Sequence, residues 1–398
     1  LTGPKMDPKS LERANDDGKR RARRLFGLKS AGFLAAVFFA LGVYLPFFPV
    51  WLEAQGLSDG QIGVAVALPL LVRAVLSGTL AAAADRLGEL RVAAALYAGV
   101  ATIVFFALNF VGGAAALLLI SSAALIFWNA LIPLGDAVAL TGVRRHGNDY
   151  GRIRLWGSVA FIVGNFAAGQ IISSVSVDAV YGLQLAAFAF GILAALSLPL
   201  VGRAAKLAKG SGMIGVPRDR RLVLTIAAAS LVTGSHGAYY AFGSLYWRSL
   251  GFSDIVIAAL WSLGVVIEIA LFWFARHFVG WGARRFLIAG ATGALLRWSL
   301  FAFATDVTWA FALQILHALT FAATHLGVMM ALAAVAEAGH TARLQAAYQL
   351  SAGLVIGSGT LTAGLLYGVA PSLPFLLMAA FGACGLAIAW RLPRGLKA

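Results

Sequence analysis

The chain has 398 residues, 61% of them hydrophobic and 12% charged, and a formal net charge of +15. A soluble domain carries about 25% charged residues, so a water-soluble globule is excluded and a polytopic membrane protein is indicated. One cysteine, Cys384, excludes an intramolecular disulfide and any cysteine metal cluster, and neither a metal nor a cofactor is expected.

Apolar runs of bilayer-spanning length predict twelve helices: α1 at 31–52, α2 at 61–84, α3 at 92–111, α4 at 114–142, α5 at 152–174, α6 at 180–201, α7 at 222–246, α8 at 255–279, α9 at 286–304, α10 at 308–334, α11 at 344–368 and α12 at 374–391. A basic segment, 1–30, precedes the first six-helix bundle, 31–201. A polar linker, 202–221, joins it to the second, 222–391, and a short tail, 392–398, follows. With twelve spans both termini lie on one side. Of the 31 Lys and Arg, 27 fall on that side, nine of them in 1–30 and six in 203–221, and only Arg248 falls on the other. The positive-inside rule makes the basic side cytoplasmic, in a bacterial inner membrane. The basic balance is therefore topological. The lipid bilayer is the expected macromolecular partner, nucleic acid is not, and a monomer is expected.

Along the chain, α1 closes on Gly42-Val-Tyr44-Leu-Pro-Phe47, and Trp51 leads to Gly56-Leu-Ser58-Asp59. The end of α7 repeats this without gaps. Gly237, Tyr239, Phe242, Tyr246, Gly251, Ser253 and Asp254 stand in register with Gly42, Tyr44, Phe47, Trp51, Gly56, Ser58 and Asp59. Two halves in the same orientation follow, related by a pseudo-two-fold axis along the membrane normal. Charges stand inside five spans: Arg73 in α2, Asp136 in α4, Arg154 in α5, Glu268 in α8 and Arg297 in α9. Each costs about 2.5–3.5 kcal/mol at the bilayer centre, so such residues face a watered cavity or one another and mark the path of a solute or ion.

Between α2 and α3 stands Asp85-Arg86-Leu87-Gly88-Glu89-Leu90-Arg91. It resembles the cytoplasmic loop signature of the major facilitator superfamily, with Asp85, Arg86 and Gly88 as gating residues. The resemblance implies an all-α membrane fold of two six-helix bundles, with the substrate held at mid-membrane between halves that rock around it. Tyr44-Leu-Pro-Phe-Phe-Pro-Val-Trp51 and Gly151-Arg152-Ile-Arg154-Leu-Trp156-Gly157-Ser158 look like the α1 end and α5 entry of lactose permease and its relatives. That resemblance makes Asp136 the α4 carboxylate that pairs with Arg154, and Glu268, Arg297 and His317 the coupling cluster. The departures are Gln314 and Thr320, where the lactose carriers have a Lys and a proton-carrying Glu, and Tyr239 near their α7 Asp. The segments 149–158 and 314–325 are more similar to the 3-phenylpropionic acid transporter group.

Taken by themselves, the intramembrane charges leave one positive charge over with His neutral, which favours an anionic substrate over a neutral sugar. An arginine fork binds a carboxylate at two points and stays charged. Arg297 is the first candidate for that role and Arg73 the second, although Arg73 and Glu268 stand at equivalent repeat positions and could instead pair. Asp136 and Arg154 are read as an ion pair between α4 and α5. Glu268 is the first candidate for the coupled proton, because a carboxyl alternating between apolar surroundings and a nearby cation loads and releases one. His317 is its rival, His325 lies eight residues on near the same helical face, and His236 stands beside the repeated Tyr239. Tyr44, Phe47, Trp128, Trp156, Tyr239, Tyr240, Trp261 and Trp298 are the aromatic candidates for the cavity, with Tyr44, Tyr239 and Trp261 placed in the substrate site. No Walker loop, HExxH or catalytic triad occurs, so catalytic residues are not expected. The sequence reads as a proton-coupled importer of a small organic anion, an aromatic carboxylate such as 3-phenylpropionate. A neutral nucleoside or sugar symporter and a proton-driven exporter of amphipathic compounds are the alternatives.

Overall fold

The computed structural model describes residues 8–202, 219–335 and 341–393. Most of the expected linker (203–218), residues 1–7 of the basic segment and residues 394–398 of the tail lie outside the described residues. Twelve helical spans follow in order: α1 Pro8–Ala54, α2 Asp59–Arg86, α3 Leu90–Phe110, α4 Ala114–His146, α5 Tyr150–Ser174, α6 Ala179–Ser197, α7 Arg220–Ser249, α8 Asp254–Phe274, α9 Gly282–Phe301, α10 Val307–Ala334, α11 Thr341–Tyr367 and α12 Leu373–Trp390. From Pro8 onward the basic segment is helical and continuous with α1. Eleven of the twelve are long and apolar enough to cross a membrane. The other, α9, carries Arg284, Arg285 and Arg297 in its 20 residues.

Local chemistry explains where helices start and break. Ser58 and Ser253, equivalent in the repeat, cap α2 and α8 by accepting hydrogen bonds from the backbone N–H groups of Gln61 and Val256. The α4 span is interrupted at Ala130, three residues before Pro133. Pro133 has no N–H to return to the carbonyl of Asn129, and its ring crowds that group. The α7 span breaks at Ser235 and His236, between Gly234 and Gly237. In α10 residues Ala318–Ala323 form a π-helical stretch, a distortion that often accompanies a functional site.

The packing repeats with the sequence. Within the halves α1 packs on α5 and α6 as α7 packs on α11 and α12, and α3 on α6 as α9 on α12. Across the halves α2 packs on α11 as α8 packs on α5, and α1 meets α7. The close approaches obey one offset. A β-carbon on Gly42 would overlap the carbonyl oxygen of Phe161, and one on Gly237 would lie 2.8 Å from that of Ile356. Gly169 stands to Asp254 (2.8 Å) as Gly364 stands to Asp59 (2.9 Å). Each pair is carried onto its counterpart by the same shift (42 to 237, 161 to 356, 169 to 364, 59 to 254). This is the two-bundle architecture with a pseudo-two-fold axis, and it extends the repeat well past the residues that match in sequence.

On the side away from the basic loops the halves are in contact, through Gly63 against Gly364 and Gly169 against Asp254 and Ala258. Toward the basic side they part. A cavity of about 690 Å³ lies among α2, α3, α4 and α11 and reaches Asp85 and Arg144. The α2–α3 turn is held within the first half. Gly88 takes a positive φ of 78°, and Glu89 accepts hydrogen bonds from the backbone N–H groups of Val201 (3.1 Å) and Gly202 (2.8 Å) at the end of α6.

Candidate functional site

A second cavity, about 160 Å³, lies at the junction of α1, α5, α7, α8 and α10. Its polar lining is Arg154 and Ser158 from one half and Glu268 and His317 from the other, with Tyr239 and Tyr240 beside them. The remaining wall includes the rings of Phe38, Phe161, Trp261 and Phe321. Glu268 Oε2 is 3.8 Å from His317 Nε2, and Arg154 is within electrostatic reach of Glu268. The Arg154 guanidinium lies 3.9 Å over the ring of Phe38, a cation–π contact that keeps its edge free for hydrogen bonding. Tyr239 stacks on Trp261 with centroids 4.2 Å apart, and the Trp261 indole donates to Ser244 Oγ at 2.9 Å. The ring is thereby fixed in one orientation.

Behind this wall sits Arg297, with no exposed surface. Its guanidinium donates to Gln314 Oε1 (2.8 Å) and Thr320 Oγ1 (3.3 Å) and stands 3.0 Å from His317 Nδ1. It also lies over the rings of Tyr239 (5.0 Å) and Trp298 (4.4 Å). An arginine N–H can only donate, so Nδ1 of His317 is the acceptor and its proton sits on Nε2, facing Glu268. His236 Nε2 reaches Thr320 Oγ1 at 3.1 Å, its Nδ1 reaches the carbonyl of Thr233 at 3.1 Å, and Trp298 donates to Ser235 Oγ at 2.8 Å. The break in α7 and the π-helical stretch of α10 are thus joined through buried polar groups. Gln314 and Thr320, departures from the lactose carriers, accept hydrogen bonds from Arg297 and leave its charge in place.

The structure brings Arg154, Glu268, His317, Tyr239 and Trp261 to one cavity and puts other candidates elsewhere. Arg297 does not line the cavity. It acts on the cavity through His317. Among the described residues the expected Asp136–Arg154 ion pair does not form. Asp136 instead accepts a hydrogen bond from Tyr150 at 3.0 Å, while Arg154 turns toward Phe38. Arg73 and Glu268 do not pair either, for Arg73 faces the larger cavity. His325 sits at the edge of Phe272, centroids 6.2 Å apart, and does not line the central cavity. Tyr44 packs on Phe48, Phe47 and Trp128 are buried in the core, and Trp156 is 57% exposed on the outer surface. Asp85 lines the larger cavity, Gly88 makes the turn, and Arg86 is exposed. Sequence reasoning passed over Phe38 and the buried hydrogen bond from Asn165 to Ser262 (3.2 Å) that ties α5 to α8. A search for amide side chains inside spans would have found Asn165, whereas nothing in the sequence marks Phe38.

The MFS_1 like family model matches residues 28–377. The chain is 33% identical over 339 residues to the probable 3-phenylpropionic acid transporter of Escherichia coli K12, covering 83% of this chain and 88% of that protein. It is 27% identical over 282 residues to the maltose permease of Geobacillus stearothermophilus, covering 68% and 69%. Among solved structures, the D323A mutant of the nucleoside transporter NupG superposes with a TM-score of 0.80 at 17% identity, covering 92% of this chain and 99% of that one. A bacterial homologue of the human lysosomal transporter Spinster superposes with a TM-score of 0.67 at 16% identity, covering 95% and 92%. At such identities these likenesses speak for the fold.

Proposed function

The chain belongs to the MFS_1 like family, whose members are multi-pass membrane transporters and not enzymes, and from that premise we propose that it imports a small organic anion together with a proton. The class proposed is an aromatic carboxylate such as 3-phenylpropionate, carried by a monomer through alternating access. The proposed setting is a bacterial inner membrane with both termini cytoplasmic.

The observation that carries this reading is the central cavity. One guanidinium and one carboxyl, contributed by different halves, line it within an aromatic wall. In the empty carrier Glu268 is the counter-charge of Arg154. A proton on Glu268 removes that counter-charge, and the substrate carboxylate replaces it on the Arg154 fork. The cavity thus holds the same net charge empty or loaded, and a carboxylate alone would compete with an ionised Glu268. The substrate ring lies between Phe38 and the Tyr239–Trp261 stack. A volume of about 160 Å³ is below the ~300–1,000 Å³ of drug-sized ligand pockets, so it suits a single-ring acid better than a disaccharide. His317, its tautomer held by Arg297, turns its Nε2–H toward Glu268 at 3.8 Å. The 33% identity to a probable 3-phenylpropionic acid transporter supports the same class of substrate.

The test is uptake of labelled 3-phenylpropionate into proteoliposomes with and without an inward proton gradient, beside a neutral nucleoside and 3-phenylpropionamide. Gradient-driven accumulation of the acid alone is expected. Accumulation of the nucleoside or the amide in its place would keep the fold and discard the anion reading.

A further inference from the structure

The larger cavity is built as a ligand site in its own right. It is lined by α2, α3, α4 and α11, and none of its walls comes from α5, α8 or α10, which line the central cavity. Three charged residues face it, Arg73, Asp85 and Arg144, so its lining carries one net positive charge. None of the three forms an ion pair among the described residues. Arg144 donates to Thr141 Oγ1 at 3.1 Å, and Arg73 has no hydrogen-bond partner there. Arg73 lies in the middle of α2, between apolar neighbours Val72 and Ala74. An uncompensated cation at that depth costs several kcal/mol, and an anion in the cavity would relieve it. Around Arg73 the wall is mostly apolar, with Leu80, Leu134 and Leu350, and amides from Asn129 and Gln349 reach the same space. One fixed cation, an apolar body and a volume of about 690 Å³ against about 160 Å³ describe a ligand larger than the central cavity holds. Arg73 is also within electrostatic reach of Tyr240, which lines the central cavity.

We propose that the cavity among α2, α3, α4 and α11 is a second ligand site, which takes a bulky amphipathic organic monoanion by its acid group on Arg73 and its apolar body against α4 and α11. A ligand wedged there holds the first half's α4 apart from α11, and it occupies the basic-side approach to the central cavity. It therefore inhibits transport from that side without being carried. The site does not depend on which solute the central cavity takes.

The experiment is calorimetric titration of the full chain in a neutral detergent with 4-biphenylcarboxylate, a two-ring acid, and with 4-biphenylcarboxamide. Saturable binding of the acid is expected, weakened about 10- to 100-fold for the amide and for Arg73→Gln, as loss of a hydrogen bond to a charged partner predicts. Arg154→Gln should bind the acid as the parent does. Ala346→Trp, which fills the cavity from an exposed position on α11 and leaves the charges alone, should abolish binding, and it carries the test if Arg73→Gln does not fold. Absence of binding, equal binding of acid and amide, unchanged affinity in Arg73→Gln, or loss of binding in Arg154→Gln would each overturn the proposal. Uptake of 3-phenylpropionate is scored separately. Its failure would remove the aromatic-carboxylate reading and leave this site standing if the titration succeeds.

Discussion

Replacing Glu268 by Gln separates coupling from folding and from binding. The side chain is half-buried, and its nearest polar neighbour is neutral His317, whose Nε2 lies 3.8 Å away, beyond ordinary hydrogen-bond distance. Gln keeps its shape, so the loss of stability should stay within ~1 kcal/mol, the scale of a weak, partly solvated ion pair. Transport should change far more. Proton and monoanion cross together with no net charge, so the pH difference alone drives uptake, and each pH unit supplies ~1.36 kcal/mol, about tenfold accumulation. Glu268→Gln is permanently in the protonated-like form, so Arg154 is always free to take the carboxylate. The variant should bind substrate and exchange it across the membrane at a normal rate, while accumulation falls from about tenfold per pH unit to none. The assay is paired: gradient-driven uptake, and counterflow from liposomes preloaded with unlabelled acid. Undiminished gradient-driven accumulation in the variant would refute the assignment of the proton to Glu268. Loss of counterflow with intact folding would refute the claim that Arg154 and not Glu268 holds the substrate.

Arg154→Gln should weaken carboxylate binding about 10- to 100-fold, the value of a charge-assisted hydrogen bond, with the amide analogue unaffected; equilibrium binding to purified protein decides it. Thr320→Val takes the hydroxyl from both His236 and Arg297. It should cost ~1–3 kcal/mol for the buried groups left unsatisfied, read as a lower thermal midpoint in detergent. Gly42→Ala drives a methyl into the Phe161 carbonyl at the α1–α5 crossing, and overpacking of this kind costs ~1–3 kcal/mol. Gly60→Ala, where a β-carbon meets nothing within 4 Å, is its control in the same thermal assay.

The sequence by itself determined the fold. Hydrophobic runs separated by short polar turns fix twelve spans, since in hydrocarbon each backbone group must bond within its own helix. The Gly42 and Gly237 repeats then fix the pseudo-symmetry, because equivalent glycines make equivalent crossings. Intramembrane charges were likewise visible from composition alone, and Arg154, Glu268 and His317 do share a cavity. Partnership was another matter. Spacing along one helix says which face a residue is on, but it does not say which of several facing helices its side chain meets, nor how deeply a neighbour covers it. Arg297 was read as the substrate cation, and its burial behind His317 depends on Gln314 and Thr320 arriving from α10. Asp136 and Arg154 stand close in sequence order, yet Tyr150 takes the first and Phe38 the second. The π-helical stretch of α10, Ala318–Ala323, carries Thr320, which meets both His236 and Arg297 from other helices. Those outcomes are set by the packing of distant helices against one another, which is why only the tertiary structure decided them.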